Sequence, residues 1–132
     1  MYNFKYKHDY YKQNISTHTT VRGLQLILKK RVKKGDIVRE TYPSKLNFCE
    51  VHSVTPRAIK DLSIEFLKAD CEYEGFTISS HEEFCKLINS FLPPFYQQAT
   101  PESTKTVVVL KIIEGMSYEV LFLWKKRCWV TL

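Results

Sequence analysis

The run Thr106-Val-Val-Val-Leu-Lys-Ile-Ile is the feature that most limits what this chain can fold into. Its β-branched residues favour a strand, and its apolar positions are nearly continuous rather than alternating, so both faces of that strand must be covered. Cover is available upstream. Ser80-His81-Glu82-Glu83 reads as a capping box, and Phe84, Leu87, Ile88, Phe91 and Leu92 then recur at helical spacing until Pro93-Pro94 ends the helix. A second helix is expected from Ser63 to Cys71, with Ile64, Leu67 and Cys71 on one face and Gly75 placed to stop it in the left-handed conformation.

The N-terminal half reads as strands. Phe4 and Tyr6 alternate with Lys5 and Lys7, a short helix fits Asp9 to Gln13, and Thr17 to Arg22 has three threonines and a valine in six residues before Gly23 permits a turn or bulge. Leu24 to Leu28 predicts a short strand or bent loop. Lys33-Lys34-Gly35-Asp36 is a turn into a strand at Ile37 to Tyr42, and Pro43-Ser44 turns into another from Leu46 to Val54. Phe95 to Ser103 is a loop long enough to fold over a ligand as a lid. After Glu114-Gly115, residues 114–132 are expected to form a C-terminal β extension.

At 132 residues, one domain over 1–132 is expected. The order β-rich, helix, helix, β-rich predicts an α+β fold, most simply a small mixed β-barrel with two to three helices packed on one side.

Charge points to one segment. Tyr10 to Gly35 holds seven Lys or Arg and no Asp or Glu, so it carries +7 while the rest of the chain sums to −1. Such a segment, a β-branched run ending in Arg22 and then the cationic run Lys29, Lys30, Arg31, Lys33 and Lys34, suggests a strand edge beside an anion-attracting groove. The acidic surplus lies on the two helices, which leaves a protein-interaction surface as another reading.

Other functions are disfavoured. Cys49, Cys71, Cys85 and Cys128 form no Cys-x-x-Cys pair and the four histidines have no ligand spacing, so buried reduced thiols, no metal and no cofactor are expected. No apolar run reaches the roughly 18 residues of a membrane span, and the N-terminus lacks the apolar core of a signal peptide. A cytoplasmic protein without membrane partners is expected.

The motifs, taken in order, resemble the ASCH domain family of the PUA-like barrels. Thr-Thr-Val-Arg at 19–22 resembles the end of the family's Gly-x-Lys-x-x-Glu-x-Arg stretch, and Val32 to Val38 resembles its Lys-x-Gly-Asp-x-Val strand entry. Ile59 to Ser63 with Glu72 to Phe76 resembles its helix and acidic-Gly-Phe turn, Ser80 to Phe84 the next helix, and Val107 to Ile113 the closing strand. The resemblance implies a barrel with a cleft between barrel and helices that binds RNA or nucleotides. One small-protein branch removes the acetyl group of acetylated cytidine with a Lys, Thr and Glu around the cleft. Carried over, the Thr falls on Thr20, the Glu on Glu74 and the motif Arg on Arg22. The Lys falls on Thr17 and the motif Gly on Ile15, which are departures.

Amide hydrolysis needs an activated nucleophile and a group to hold the oxyanion, and Thr17 supplies neither function of a cleft lysine. His18 is adjacent, but neighbouring strand residues face opposite ways. The expectation is therefore a binding module for RNA or a modified nucleoside or nucleotide, with a small amidohydrolase acting on an acetylated cytidine nucleoside as the alternative. Thr17, His18, Thr20, Arg22, Lys29, Lys30, Arg31, Lys33, Lys34 and Glu74 are its candidate ligand contacts, and Thr20 and Glu74 become catalytic candidates if it hydrolyses an amide. Phe95, Tyr96, Tyr73 and Tyr42 are candidates for stacking on bases.

Overall fold

The computed structural model describes residues 1–123. Five strands form one mixed sheet: β1 (Asn3–Lys5), β2 (Thr17–Arg22), β3 (Ile37–Thr41), β4 (Leu46–Ala58) and β5 (Thr104–Ile112), in the order β1-β3-β4-β5-β2. Only β1 and β3 run parallel; the other neighbours are antiparallel. The long β4 pairs with β3 over its first half and β5 along most of its length, with a bulge between Val51 and Ser53 that increases its twist. The sheet curls into a half-barrel. The expected barrel does not close, because β1 and β2 are its two edges and no backbone ladder joins them.

The apolar run of β5 is covered on both faces, as its composition requires. Val107 packs in a core with Ile59, Leu67, Ile78 and Phe84, beneath α2 (Ile64–Cys71) and α3 (His81–Ser90). Val108 and Leu110 point the other way, into a core with Phe4, Leu26, Val38, Cys49 and Val51. Leu67 and Leu110 are completely buried, and burial of such a side chain is worth about 1.5–3 kcal/mol.

Both helices start at a serine cap: Ser63 Oγ accepts from the Phe66 N–H and Ser80 Oγ from the Glu83 N–H. The reciprocal half of the capping box is displaced, since the Glu83 carboxylate accepts from Ser79 rather than from the Ser80 backbone.

Local expectations fail in three further places. Leu24 to Leu28 is neither strand nor loop: Gln25–Leu28 is a helical turn, α1, that buries Leu26 and leaves Leu28 exposed. Five residues with four apolar ones fit either period, and the neighbours chose. Gly75 adopts φ +86° but does not end α2. The chain leaves the helix extended at Glu72, and Gly75 makes the tight turn that brings Tyr73 and Phe76 together. Residues 118–123 are helical where a β extension is expected, and the remainder of that extension, 124–132, lies outside the described residues.

Candidate functional site

The open seam between β1 and β2 is spanned by side chains. Arg22, the last residue of β2, donates from Nη2 to the backbone carbonyl of Lys5 at the end of β1, 3.3 Å away. Its guanidinium lies over the rings of Phe4 and Tyr6, at 5.2 and 4.9 Å, and its Nε donates to Thr20 Oγ1.

Behind the seam lies a buried acid. Glu40 of β3 is fully enclosed and accepts four hydrogen bonds, from Tyr6 Oη, Tyr42 Oη, His18 Nε2 and Cys49 Sγ. Burial pushes its carboxyl up, but the hydrogen bond and charge of His18, the Tyr6 hydroxyl and the charge of Lys12 outweigh that and hold it at about 2. The His18 ring faces an acceptor on each side, the Ile15 carbonyl and Glu40, both at 2.7 Å, so satisfying both requires two N–H donors. Burial and then the charge of Glu40 push the Tyr6 hydroxyl well above its ordinary value, and it stays a donor.

His18, Glu40 and Cys49 are also a possible donor set for a metal. Their geometry fits a hydrogen-bonded pair better: Nε2 and Oε1 are 2.7 Å apart, closer than the roughly 3.3 Å between two ligands on a tetrahedral ion with bonds of about 2.0 Å. Burial and the Glu40 charge also push the Cys49 thiol up, which keeps it a donor rather than a thiolate ligand.

In front of the seam lies a cavity of about 330 Å³. A 3-10 turn, Tyr11–Asn14, carries Lys12 into it, anchored by the Tyr11 N–H on the carbonyl of Glu72, the residue after α2. Lys12 is only 3% exposed. Its Nζ donates to the Thr19 carbonyl at 2.9 Å and to Asp70 Oδ1 at 3.0 Å, and sits over the rings of Tyr6 and Tyr10. The Tyr10 hydroxyl is pushed up to about 12 by burial, then by Asp70 and Tyr73.

Thr20 and Arg22 line the floor of the cavity, and Lys5, Lys7 and Lys105 also line it. The opposite wall is the α3 stripe: Phe84, Leu87 and Ile88, continued by Phe91 and Leu92. That stripe is therefore divided between core and cavity: Phe84 is 2% exposed, while Phe91 is 43% exposed and has Lys7 Nζ over its ring. Five cations and one carboxylate, Asp70, line this space.

The residues singled out from the sequence separate here. Thr20 and Arg22 line the cavity; Arg22 also lines a neighbouring groove with Lys29 and Arg31. Thr17 is exposed at the start of β2, outside both. His18 shares its face of β2 with Thr20 and Arg22, as strand alternation requires, but does not line the cavity: it is buried and committed to Glu40. Lys30, Lys33 and Lys34 are exposed and line neither space.

Glu74, expected across the cleft from Arg22, is instead exposed in the Tyr73–Phe76 turn. The acid that holds that loop is Glu72, which bonds Lys68 Nζ and the Ile78 N–H, and the cavity's carboxylate is Asp70, one turn back on α2. Of the four aromatics considered for stacking, Phe95 and Tyr96 are exposed on the loop after α3, Tyr42 is buried, and Tyr73 stacks on His8. None of them lines the cavity, and neither does the loop expected to be a lid.

Sequence reasoning missed Lys12, which it counted only as charge, and Asp70. A signal for Asp70 existed: with Leu67 and Cys71 it occupies positions i, i+3 and i+4, an acid on the buried face of a helix.

No family model and no solved structure matches the chain at a significant level. The chain is 33% identical over 111 residues to an uncharacterized protein of Methanocaldococcus jannaschii, MJ0364, a match that covers 84% of this chain and 96% of that protein. The chain belongs to the same family as that archaeal protein. No helix among the described residues is long and apolar enough to cross a membrane.

Proposed function

We propose that this is an ASCH-like, PUA-like module whose seam cavity binds a nucleotide unit of RNA. The observation that carries the reading is the pairing of an apolar α3 wall, ending in Phe91, with a cationic floor and rim around Arg22, Lys5, Lys7 and Lys105. A flat heterocycle fits against the first and its phosphate against the second. The cavity, at about 330 Å³, falls at the lower end of the roughly 300–1,000 Å³ of small-ligand sites. Buried, unpaired Cys49, Cys71 and Cys85 support a reducing, cytoplasmic setting. Titration of a labelled single-stranded RNA against the protein tests the reading: binding that weakens as salt rises is expected, and no binding at low salt overturns it.

A hydrolytic reading is favoured by one observation. Although Thr17 stands where the resembling enzymes have lysine, Lys12 lies in the same cavity as Thr20 and Asp70 and supports this reading. A lysine held between a carboxylate and two aryl faces suits holding an oxyanion more than removing a proton. Release of acetate from acetylated cytidine, lost in Lys12→Met, would establish this reading; no release would leave binding alone.

A further inference from the structure

We infer that the ligand is a continuous single strand rather than a free nucleotide, with one base in the seam cavity and the neighbouring phosphate in a second groove reached past Arg22. This rests on the nucleotide-unit reading of the cavity. The second groove, about 250 Å³, shares Arg22 and Gly23 with the first and is otherwise lined by Tyr2, Gln25, Lys29 and Arg31 among others, with no acid. Arg22 thus belongs to both spaces, and Gly23 at their junction has nothing within 4 Å of where a Cβ would stand, so the passage is open there.

The basic residues of the groove are held by a built turn. Helix α1 ends in a Schellman motif: the Lys30 N–H donates to the Ile27 carbonyl at 3.0 Å and the Arg31 N–H to the Leu26 carbonyl at 3.2 Å. The left-handed position of that motif is usually glycine, but here Lys30 occupies it at φ +50°, the only non-glycine with positive φ among the described residues. A helix of four residues has too small a dipole to explain three consecutive cations at its end. The motif places Lys29 and Arg31 on the groove and Lys30 in solvent beside it.

Cations on both sides of Arg22 distinguish a strand from a mononucleotide. A nucleoside monophosphate needs one group of them. Lys5, Lys7 and Lys105 line the cavity while Lys29 and Arg31 line the groove, so successive phosphates of one strand have partners in each.

The test compares CMP, CTP and an eight-residue oligocytidylate on the wild type, on Lys29→Gln/Arg31→Gln and on Phe91→Ala. The replaced residues are exposed, so the variants fold. The oligonucleotide should bind wild type at least about tenfold more tightly than CTP. The groove variant should lose that advantage, with a salt slope lower by about 1.4 for two phosphate contacts on a single strand, while CMP affinity stays within twofold. Phe91→Ala should weaken all three ligands. Equal binding of CTP and oligonucleotide overturns the proposal in favour of a polyphosphate tail. A groove variant with unchanged oligonucleotide affinity, when Phe91→Ala is still weakened, overturns the groove and leaves the cavity reading standing. An unaffected Phe91→Ala removes the cavity reading and this proposal with it.

Discussion

Arg22 Nη2 and the Lys5 carbonyl, 3.3 Å apart, join the two edges of a sheet whose backbones never pair. One side chain therefore both fastens the seam and lines the cavity. Arg22→Ala should lower stability by about 1–2 kcal/mol, the sum of a hydrogen bond and a cation–π contact, as read from urea melts. It should also weaken RNA binding by about 1.5–3 kcal/mol. A stability loss with unchanged RNA affinity would leave Arg22 a fastener only.

Lys12 and Asp70 form a buried pair between segments 58 residues apart in sequence. Removing either partner leaves a buried charge alone, so Lys12→Met and Asp70→Asn should each destabilise by about 3–5 kcal/mol. The double variant Lys12→Met/Asp70→Asn should lose less than the sum, since no charge is stranded. Additive losses in a double-mutant cycle would show that the pair is not coupled.

Glu40 sets an acid limit. Its folded value is held at about 2, below the ordinary 4.5, so its contribution to stability is fully present above about pH 4.5 and is lost as pH falls toward 2. The shift corresponds to a contribution on the order of 3 kcal/mol. Urea midpoints measured from pH 6 to pH 2 should fall across that window in the wild type and be flatter in Glu40→Gln. A wild-type midpoint independent of pH there would contradict the assignment.

Phe91 tells a cleft wall from a core. It lies at the end of the α3 stripe, 43% exposed, whereas Phe84 is 2% exposed. Phe91→Ala should cost less than about 1 kcal/mol of stability but weaken RNA binding by about 1–3 kcal/mol, the range for loss of a stacking ring. Phe84→Ala should cost about 3–5 kcal/mol. Equal destabilisation by the two variants would place Phe91 in the core.

The strands and caps were legible because their causes are local. Alternation of Phe4 and Tyr6, the threonines of β2, the serine caps of α2 and α3, and the doubly covered run of β5 all depend on residues within a few positions of one another. The +7 segment was equally legible as a sum, but its members went to different places. Lys12 is enclosed by Asp70, Arg22 crosses the seam, Lys29 and Arg31 share a groove, and Lys33 and Lys34 remain in solvent.

What the tertiary structure alone decided is which charges are taken out of water and which strand edges stay apart. Asp70 rather than Glu74 is the cavity's acid because Lys12 arrives from the other end of the fold to pair with it, whereas Glu74 lies on a turn held by Glu72. Glu40 can be ionised inside the fold because His18 and Tyr6 come from two other points of the chain to bond it and Lys12 adds its charge. Propensity and periodicity act over a few residues and are written in the order of the amino acids. Desolvation and ion pairing depend on neighbours brought by the rest of the fold, so the sequence marked out the elements and their packing chose the site.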